Sequence, residues 1–157
     1  MEHAQPAQLK TILLVDDGDD FRVTTKWFLT HFGYIVDAAR NAEEGLALFN
    51  PAIHDLVVTD NSMPGMTGAE MAHVIKLRSP TTPILMYSGN PPDDQSCLDC
   101  VIQRPAHLLA LKDAADKLLA ESWPPPHDAE PSSESNDKTT DARSTTLRTR
   151  RQKAKSC

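Results

Sequence analysis

Acidic side chains follow the apolar segments of this sequence at the points where those segments end. Asp60 comes directly after LVVT (56–59), and Asp16 and Asp17 come directly after TILLV (11–15). Burial disfavours a charged carboxylate, and several carboxylates close together repel one another unless a cation compensates them. Mg²⁺ suits such a place because it prefers oxygen ligands and is usually held by one or two carboxylates and a phosphoryl group. These residue types therefore predict a site for a hard divalent cation.

The segments around these acids alternate between two patterns. Short apolar runs, typical of strands buried on both faces, lie at 11–15, 56–59 and 83–87, with shorter candidates at 34–36 and 100–103. Helical spacing and capping residues predict helices at 20–32, 41–49, 68–77 and 105–121. Alternation of this kind predicts an α/β fold, a doubly wound five-stranded parallel sheet with helices on both faces.

Ligands of such sheets bind beyond the carboxyl ends of the strands. Asp16, Asp17 and Asp60 occupy that edge, and Ser88-Gly89 follows the run at 83–87 there. The large apolar residues of the first predicted helix lie mostly on one of its faces: Phe21, Val23, Trp27, Phe28 and Phe32. Trp27 and Phe28 are expected to pack in the core or along the helix face rather than to form a binding site.

The composition divides the chain into two parts. The 157 residues, 39% of them hydrophobic, suit one folded domain at 10–121 and an extension at 122–157. The extension is rich in Pro, Ser and Thr and almost free of aliphatic residues, which predicts disorder. The end of the extension, from Arg143, is basic. It could contact nucleic acid, an acidic membrane or the acidic domain itself, or it could have no specific partner.

Other classes are excluded by what the sequence lacks. The net charge of −6 gives no support to wholesale nucleic-acid binding. No apolar run approaches the roughly 18 residues that a membrane-spanning helix needs. The N-terminus has no signal-peptide pattern, and three cysteines are an odd number without a paired framework. A cytoplasmic location is therefore expected.

The ordered motifs of residues 10–121 resemble the receiver domain of two-component response regulators, the family that includes the chemotaxis receiver. The matching residues are Asp16-Asp17, Asp60 with Met63-Pro64-Gly65 and Gly68, Ser88-Gly89, and Arg104-Pro105. This resemblance implies the flavodoxin-like receiver fold. It also implies phosphorelay signalling with Mg²⁺ as the cofactor.

The resemblance assigns a role to each matched residue. Asp60 is the phosphoacceptor, Ser88 donates its hydroxyl to a phosphoryl oxygen, and Arg104 is the basic residue of the site. Asp17 and Asp60 bind Mg²⁺ directly, Asp16 binds it or holds its water shell, and the carbonyl of Ser62 adds a ligand. The implied partners are a histidine kinase or phosphotransfer protein and an unknown output protein, with homodimerisation left open. The implied chemistry is phosphoryl acceptance with at most slow autodephosphorylation, so the chain is not expected to be an enzyme.

Four features depart from the family pattern. Arginine stands at position 104 where the family has lysine, and these two residues are not interchangeable. Val101 occupies the position of the aromatic switch residue of many receivers. The short segment around Asn90-Pro91-Pro92 predicts that the family's fourth helix is short or missing. No effector domain is expected in the polar extension.

Two alternatives remain beside the phosphoacceptor hypothesis. A pseudo-receiver would bind its partner without phosphorylation, with Arg104 replacing the phosphoryl charge. The stretch ILLVDDGDDF also resembles the first motif of haloacid-dehalogenase-type phosphatases, with Asp17 as nucleophile and Asp19 as acid. That second alternative leaves Asp60 unexplained.

Overall fold

Residues 8–121 are the part of the chain that this computed structural model describes, and in it strands alternate with helices except between the last two strands. The strands are β1 (Thr11–Val15), β2 (Ile35–Ala39), β3 (Leu56–Thr59), β4 (Ile84–Ser88) and β5 (Cys100–Gln103). The helices are α1 (Asp19–His31), α2 (Ala42–Leu48), α3 (Gly68–Arg78) and α4 (Leu108–Glu121). The strands form one parallel sheet in the order β2-β1-β3-β4-β5. The predicted doubly wound sheet is confirmed, whereas the predicted extension at 122–157 lies outside the described residues.

The three inner strands are buried along their whole length, as continuous apolar runs predict. Successive residues of β1 face opposite sides of the sheet and enter separate cores. Ile12 and Leu14 pack in the core that includes α4 residues such as Leu111. Leu13 and Val15 pack in the core that includes Met71 of α3.

Side-chain caps fix the starts of two helices. The Asn41 side chain accepts a hydrogen bond from the Glu44 backbone N–H at 2.8 Å, as its sequence pattern predicts. The Glu44 carboxylate reaches back to the Arg40 N–H rather than to that of Asn41. At α3, Thr67 and Glu70 form a reciprocal capping box. This box begins α3 directly after the loop that follows Asp60.

The structure corrects the predicted core face of α1. Val23 and Trp27 are 65% and 68% exposed, while Thr25 and Leu29 are fully buried. The buried stripe passes through residues four apart on the helix, and Val23 and Trp27 lie off that stripe. Phe21 and Phe28 do pack against the core. Trp27 instead stacks on His31 along the helix, with ring centroids 5.6 Å apart, which is the helix-face packing that the sequence left open.

The segment between β4 and β5 contains no helix in this structure, as its two prolines and short length predict. Leu98 of this segment is buried in the core that includes Met71 of α3. Asp99 accepts hydrogen bonds from the Lys76 ammonium at 2.7 Å and from the Ile84 N–H at 2.8 Å. These contacts hold the end of the segment against α3 and β4. None of the described helices is long and apolar enough to cross a membrane.

Gly68 provides the first stability prediction. A Cβ at this position would lie 1.9 Å from the backbone oxygen of Asp60, whereas a Cβ at Gly89 would meet no heavy atom within 4 Å. We expect Gly68→Ala to lower the free energy of unfolding by about 3 kcal/mol because the Asp60 backbone must shift. The matched Gly89→Ala change should stay within about 0.5 kcal/mol. Urea denaturation checks both values, and equal stability of the two variants would contradict the packing argument.

Candidate functional site

Backbone hydrogen bonds between neighbouring strands bring the predicted site residues to one edge of the sheet. The Asp60 N–H donates to the Val15 carbonyl at 3.0 Å, directly before Asp16. The Arg104 N–H donates to the Ser88 carbonyl at 2.9 Å. The site residues thus continue the strand pairing just past the strand ends, and their positions depend on the sheet register.

Asp16, Asp17 and Asp60 form a cluster in which one carboxylate oxygen of each lies within 4.8 Å of the others. Asp16 is buried, Asp60 is partly buried and Asp17 is exposed. Asp17 makes no hydrogen bond or ion pair with another described residue, so its oxygens are available to a ligand. Closely spaced oxygen donors of this kind fit Mg²⁺, which takes few carboxylates and retains water.

Asp60 has two oxygens in different environments. Its Oδ1 accepts hydrogen bonds from the Ser88 hydroxyl at 2.6 Å and from the Asn61 backbone N–H at 2.6 Å. Its Oδ2 lies 3.8 Å from Nη2 of Arg104. One oxygen therefore anchors the carboxylate, and the other faces the basic side chain.

Asp16 is held on both oxygens. The Gly18 N–H donates to Oδ1 at 2.9 Å, and Nη2 of Arg104 donates to Oδ2 at 2.6 Å. Burial raises the pKa of the Asp16 carboxyl above its ordinary value, and the Gly18 and Arg104 contacts oppose that rise. The negative charge of Asp60 raises this pKa further. Arg104 therefore partly compensates the repulsion between these two carboxylates.

Several contacts fix the orientation of the Arg104 guanidinium. Its Nε and Nη2 donate to the Tyr87 carbonyl at 3.1 and 2.8 Å. Its central carbon lies 3.8 Å from the centroid of the Phe21 ring and 4.9 Å from that of Tyr87. This planar cation thus lies against two aromatic rings while its tip contacts Asp16.

The structure brings together five of the six site residues that the sequence predicts: Asp16, Asp17, Asp60, Ser88 and Arg104. Ser62 lies in an exposed position of the loop after Asp60, and its role as a carbonyl ligand stays a prediction. Three contributors were missed: Asn61, Phe21 and Tyr87. Adjacency to Asp60 and Ser88 was the available signal for Asn61 and Tyr87, whereas helical spacing assigned Phe21 only to packing.

A separate cleft of about 700 Å³ lies between α3 and the segment at 89–99. Met66, His73, Pro92, Cys97 and Leu98 are among its lining residues. It contains none of the three acids, although it is larger than the other clefts described for this part of the chain. The absence of a helix after β4 leaves this surface open.

The sheet order, the acidic cluster at its carboxyl edge and the basic residue after β5 define a doubly wound α/β domain with an acidic site beyond its strand ends. Comparison with known families identifies the family to which this domain belongs. The family model described as "Response regulator receiver domain" matches residues 12–120, more than half of the chain. This chain belongs to the response regulator receiver family, so the haloacid-dehalogenase alternative is not retained.

Solved structures agree with this assignment. The response regulator TrrA from Thermotoga maritima, solved in complex with Mg²⁺-BeF, is 31% identical with a TM-score of 0.66, and the match covers 70% of this chain and 99% of that one. A CheY-like receiver domain from Methanospirillum hungatei is 29% identical with a TM-score of 0.68, covering 73% and 96% of the two chains.

Curated relatives match over only part of their length. The autoinducer 1 sensor kinase/phosphatase LuxN of Vibrio campbellii is 31% identical over 110 residues, which cover 67% of this chain and 13% of that protein. The regulatory protein VanRB of Enterococcus faecalis is 30% identical over 117 residues, covering 71% of this chain and 53% of that protein. This chain therefore shares a receiver domain with these relatives and not their full length.

The acidic cluster predicts stabilisation by Mg²⁺. At a Mg²⁺ concentration 100 times its dissociation constant, the free energy of unfolding of the wild type should rise by about 2.7 kcal/mol, and EDTA should reverse the gain. Asp17→Asn should lose most of this gain because it removes the carboxylate that has no other described partner. Thermal denaturation with and without Mg²⁺ measures both.

Asp20→Asn is the matched control, because Asp20 is exposed and lies outside the cluster. Its Mg²⁺-dependent gain should equal that of the wild type. A full gain in Asp17→Asn would contradict the assignment of Asp17 as a ligand.

Proposed function

We propose that this chain accepts a phosphoryl group on Asp60 from a phosphohistidine of a histidine kinase or phosphotransfer protein. The Oδ2 atom of Asp60 forms the new bond to phosphorus as the P–N bond of the phosphohistidine breaks, and the imidazole leaves with the electron pair of that bond. Acceptance of this group changes how the domain contacts other proteins. Receiver family membership and the acidic cluster support this proposal.

The unequal environments of the two Asp60 oxygens carry the proposal. Oδ1 is held by the Ser88 hydroxyl and the Asn61 N–H, which orients the carboxylate. Oδ2 has no hydrogen bond to Ser88 or Asn61 and lies 3.8 Å from Nη2 of Arg104, in a carboxylate that belongs to the acidic cluster, where an incoming phosphoryl group can meet a cation. An anchored oxygen next to an available one is a suitable arrangement for an attacking carboxylate.

The remaining residues supply charge and position. Asp17 and Asp60 would hold Mg²⁺, with Asp16 close enough to orient its water shell. Mg²⁺ neutralises the charge that otherwise opposes attack of a carboxylate on an anionic phosphoryl group. Arg104 can donate to a phosphoryl oxygen through its guanidinium, and Ser88 can transfer its hydroxyl hydrogen bond from Asp60 to the phosphoryl group.

The domain acts as a signalling module in this proposal and not as an enzyme with an external substrate. Hydrolysis of its own acyl phosphate would be its only catalysis, and that reaction would be slow. TrrA was solved with Mg²⁺-BeF, which indicates that a receiver of the same fold accommodates a phosphoryl mimic.

Labelling with acetyl phosphate tests the acceptor. We expect Mg²⁺-dependent incorporation of one phosphoryl group into the wild type and none into Asp60→Asn, because the amide cannot form the acyl phosphate. Asp93→Asn, an exposed change in the segment after β4, serves as the matched control and should label normally. Intact-protein mass spectrometry measures the added mass. Full labelling of Asp60→Asn would overturn the assignment.

A pseudo-receiver that binds a partner without phosphorylation is the second candidate function. It is favoured by one observation: Arg104 already places a cation 2.6 Å from Asp16 and 3.8 Å from Asp60. Beryllofluoride with Mg²⁺ mimics the phosphoryl group and separates the two functions. Under our proposal, amide resonances around Asp60 and Ser88 shift on its addition; an unmoved NMR spectrum would support the pseudo-receiver instead.

A further inference from the structure

The Arg104 guanidinium is oriented by contacts on its face as well as on its edge. The Tyr87 carbonyl accepts from Nε and Nη2 at the edge, and Nη2 also reaches Asp16. The Phe21 ring covers the face at 3.8 Å from the central carbon. Phe21 is also in ring contact with Tyr87, with centroids 5.5 Å apart. Phe21 therefore joins Arg104 and Tyr87 in one packed group beside the acids.

The Phe21 contact suits arginine in particular. A guanidinium is planar and can stack on a ring while its edge still donates hydrogen bonds, whereas the compact ammonium of lysine has no such face. The ring belongs to the first turn of α1, just after the loop that carries Asp16 and Asp17. The start of α1 thus places the face of the Phe21 ring against Arg104, the residue that stands where the family has lysine.

We propose that Phe21 is a positioning residue that holds Arg104 on Asp16 and so sets how readily the acidic cluster takes up a divalent cation. Asp16 must loosen its 2.6 Å contact with Arg104 before it can fully serve an incoming cation or its water shell. The consequence for phosphorylation rests on the proposed function of Asp60. The effect on cation affinity does not.

Replacement of the Phe21 ring should raise the affinity for Mg²⁺ and lower the rate of labelling by acetyl phosphate. Phe21→Leu frees the guanidinium and weakens its hold on Asp16, so Mg²⁺ should bind about three- to tenfold more tightly, the factor expected for a partly buried cation–π contact. Labelling by acetyl phosphate at saturating Mg²⁺ should slow, because Arg104 is no longer held where it meets a phosphoryl oxygen. General loosening of the domain would weaken both properties.

The experiment compares three variants with the wild type in the full chain. Mg²⁺ affinity is measured from the amide resonances of Asp17 and Asp60. Phe28→Leu is the matched control, since Phe28 packs against the same core from the same helix but contacts Phe32 rather than Arg104. Phe21→Tyr keeps the ring and should keep the wild-type affinity for Mg²⁺. Without Mg²⁺, the Arg104 Hδ resonances should lose their ring-current shift in Phe21→Leu alone.

A double-mutant cycle with Arg104→Lys decides the mechanism. Phe21→Leu should raise Mg²⁺ affinity when residue 104 is arginine and leave it unchanged when residue 104 is lysine. An equal change in both backgrounds, or a change of the same size in Phe28→Leu, overturns the proposal. If the wild type shows no labelling but the coupling is present, the phosphoacceptor function fails and the positioning role stands. If labelling is present without the coupling, the positioning role of Phe21 fails and the phosphoacceptor function stands.

Discussion

Repulsion between carboxylates is the constraint on which this site depends. The parallel sheet places Asp16, Asp17 and Asp60 at one edge, with an oxygen of each within 4.8 Å of the others. Burial of Asp16 increases the free-energy cost of this repulsion because it removes water that would screen the charge. One guanidinium, that of Arg104, contacts two of the three acids. A single cation on one side of the cluster leaves Asp17 uncompensated, and this leaves a place for a second cation.

Backbone geometry around Asp60 and Gly68 determines whether the acidic cluster can form. Asp60 is fixed by its N–H bond to β1, and its carbonyl lies where only glycine at position 68 leaves room. The α3 capping box then begins the helix directly after this close approach. The local sequence therefore positions the site in two ways: β3 ends directly before Asp60, and Gly68 lets α3 begin close to the Asp60 backbone.

Sequence reasoning predicted the parts of the structure that follow from one-dimensional patterns. Continuous apolar runs located the inner strands, and the rule that parallel strand ends share an edge brought Asp60 to Asp16. It did not resolve what depends on rotation about a helix axis: Trp27 packs along α1 rather than in the core, and Phe21 contacts Arg104 as well as the core. A helical pattern gives spacing but not the partner across the interface. The contact between Phe21 and Arg104 could not be predicted from helical spacing because it depends on the position of β5, which is distant in the sequence.

The segment between β4 and β5, which contains no helix, is hydrogen-bonded to the site around Asp60. The Ser88 hydroxyl donates to Asp60 and accepts from the Asn90 N–H at 3.2 Å, while the Asn61 side chain donates to the Asn90 carbonyl at 3.0 Å. Two hydrogen-bonded routes therefore lead from Asp60 to the segment at 89–99. In β5 the position that the aromatic switch residue has in many receivers holds Val101, whose aliphatic side chain has no ring to rotate. The segment at 89–99 has no helical hydrogen bonds of its own and borders the 700 Å³ cleft on α3, so these hydrogen bonds connect the site around Asp60 to the edge of that cleft.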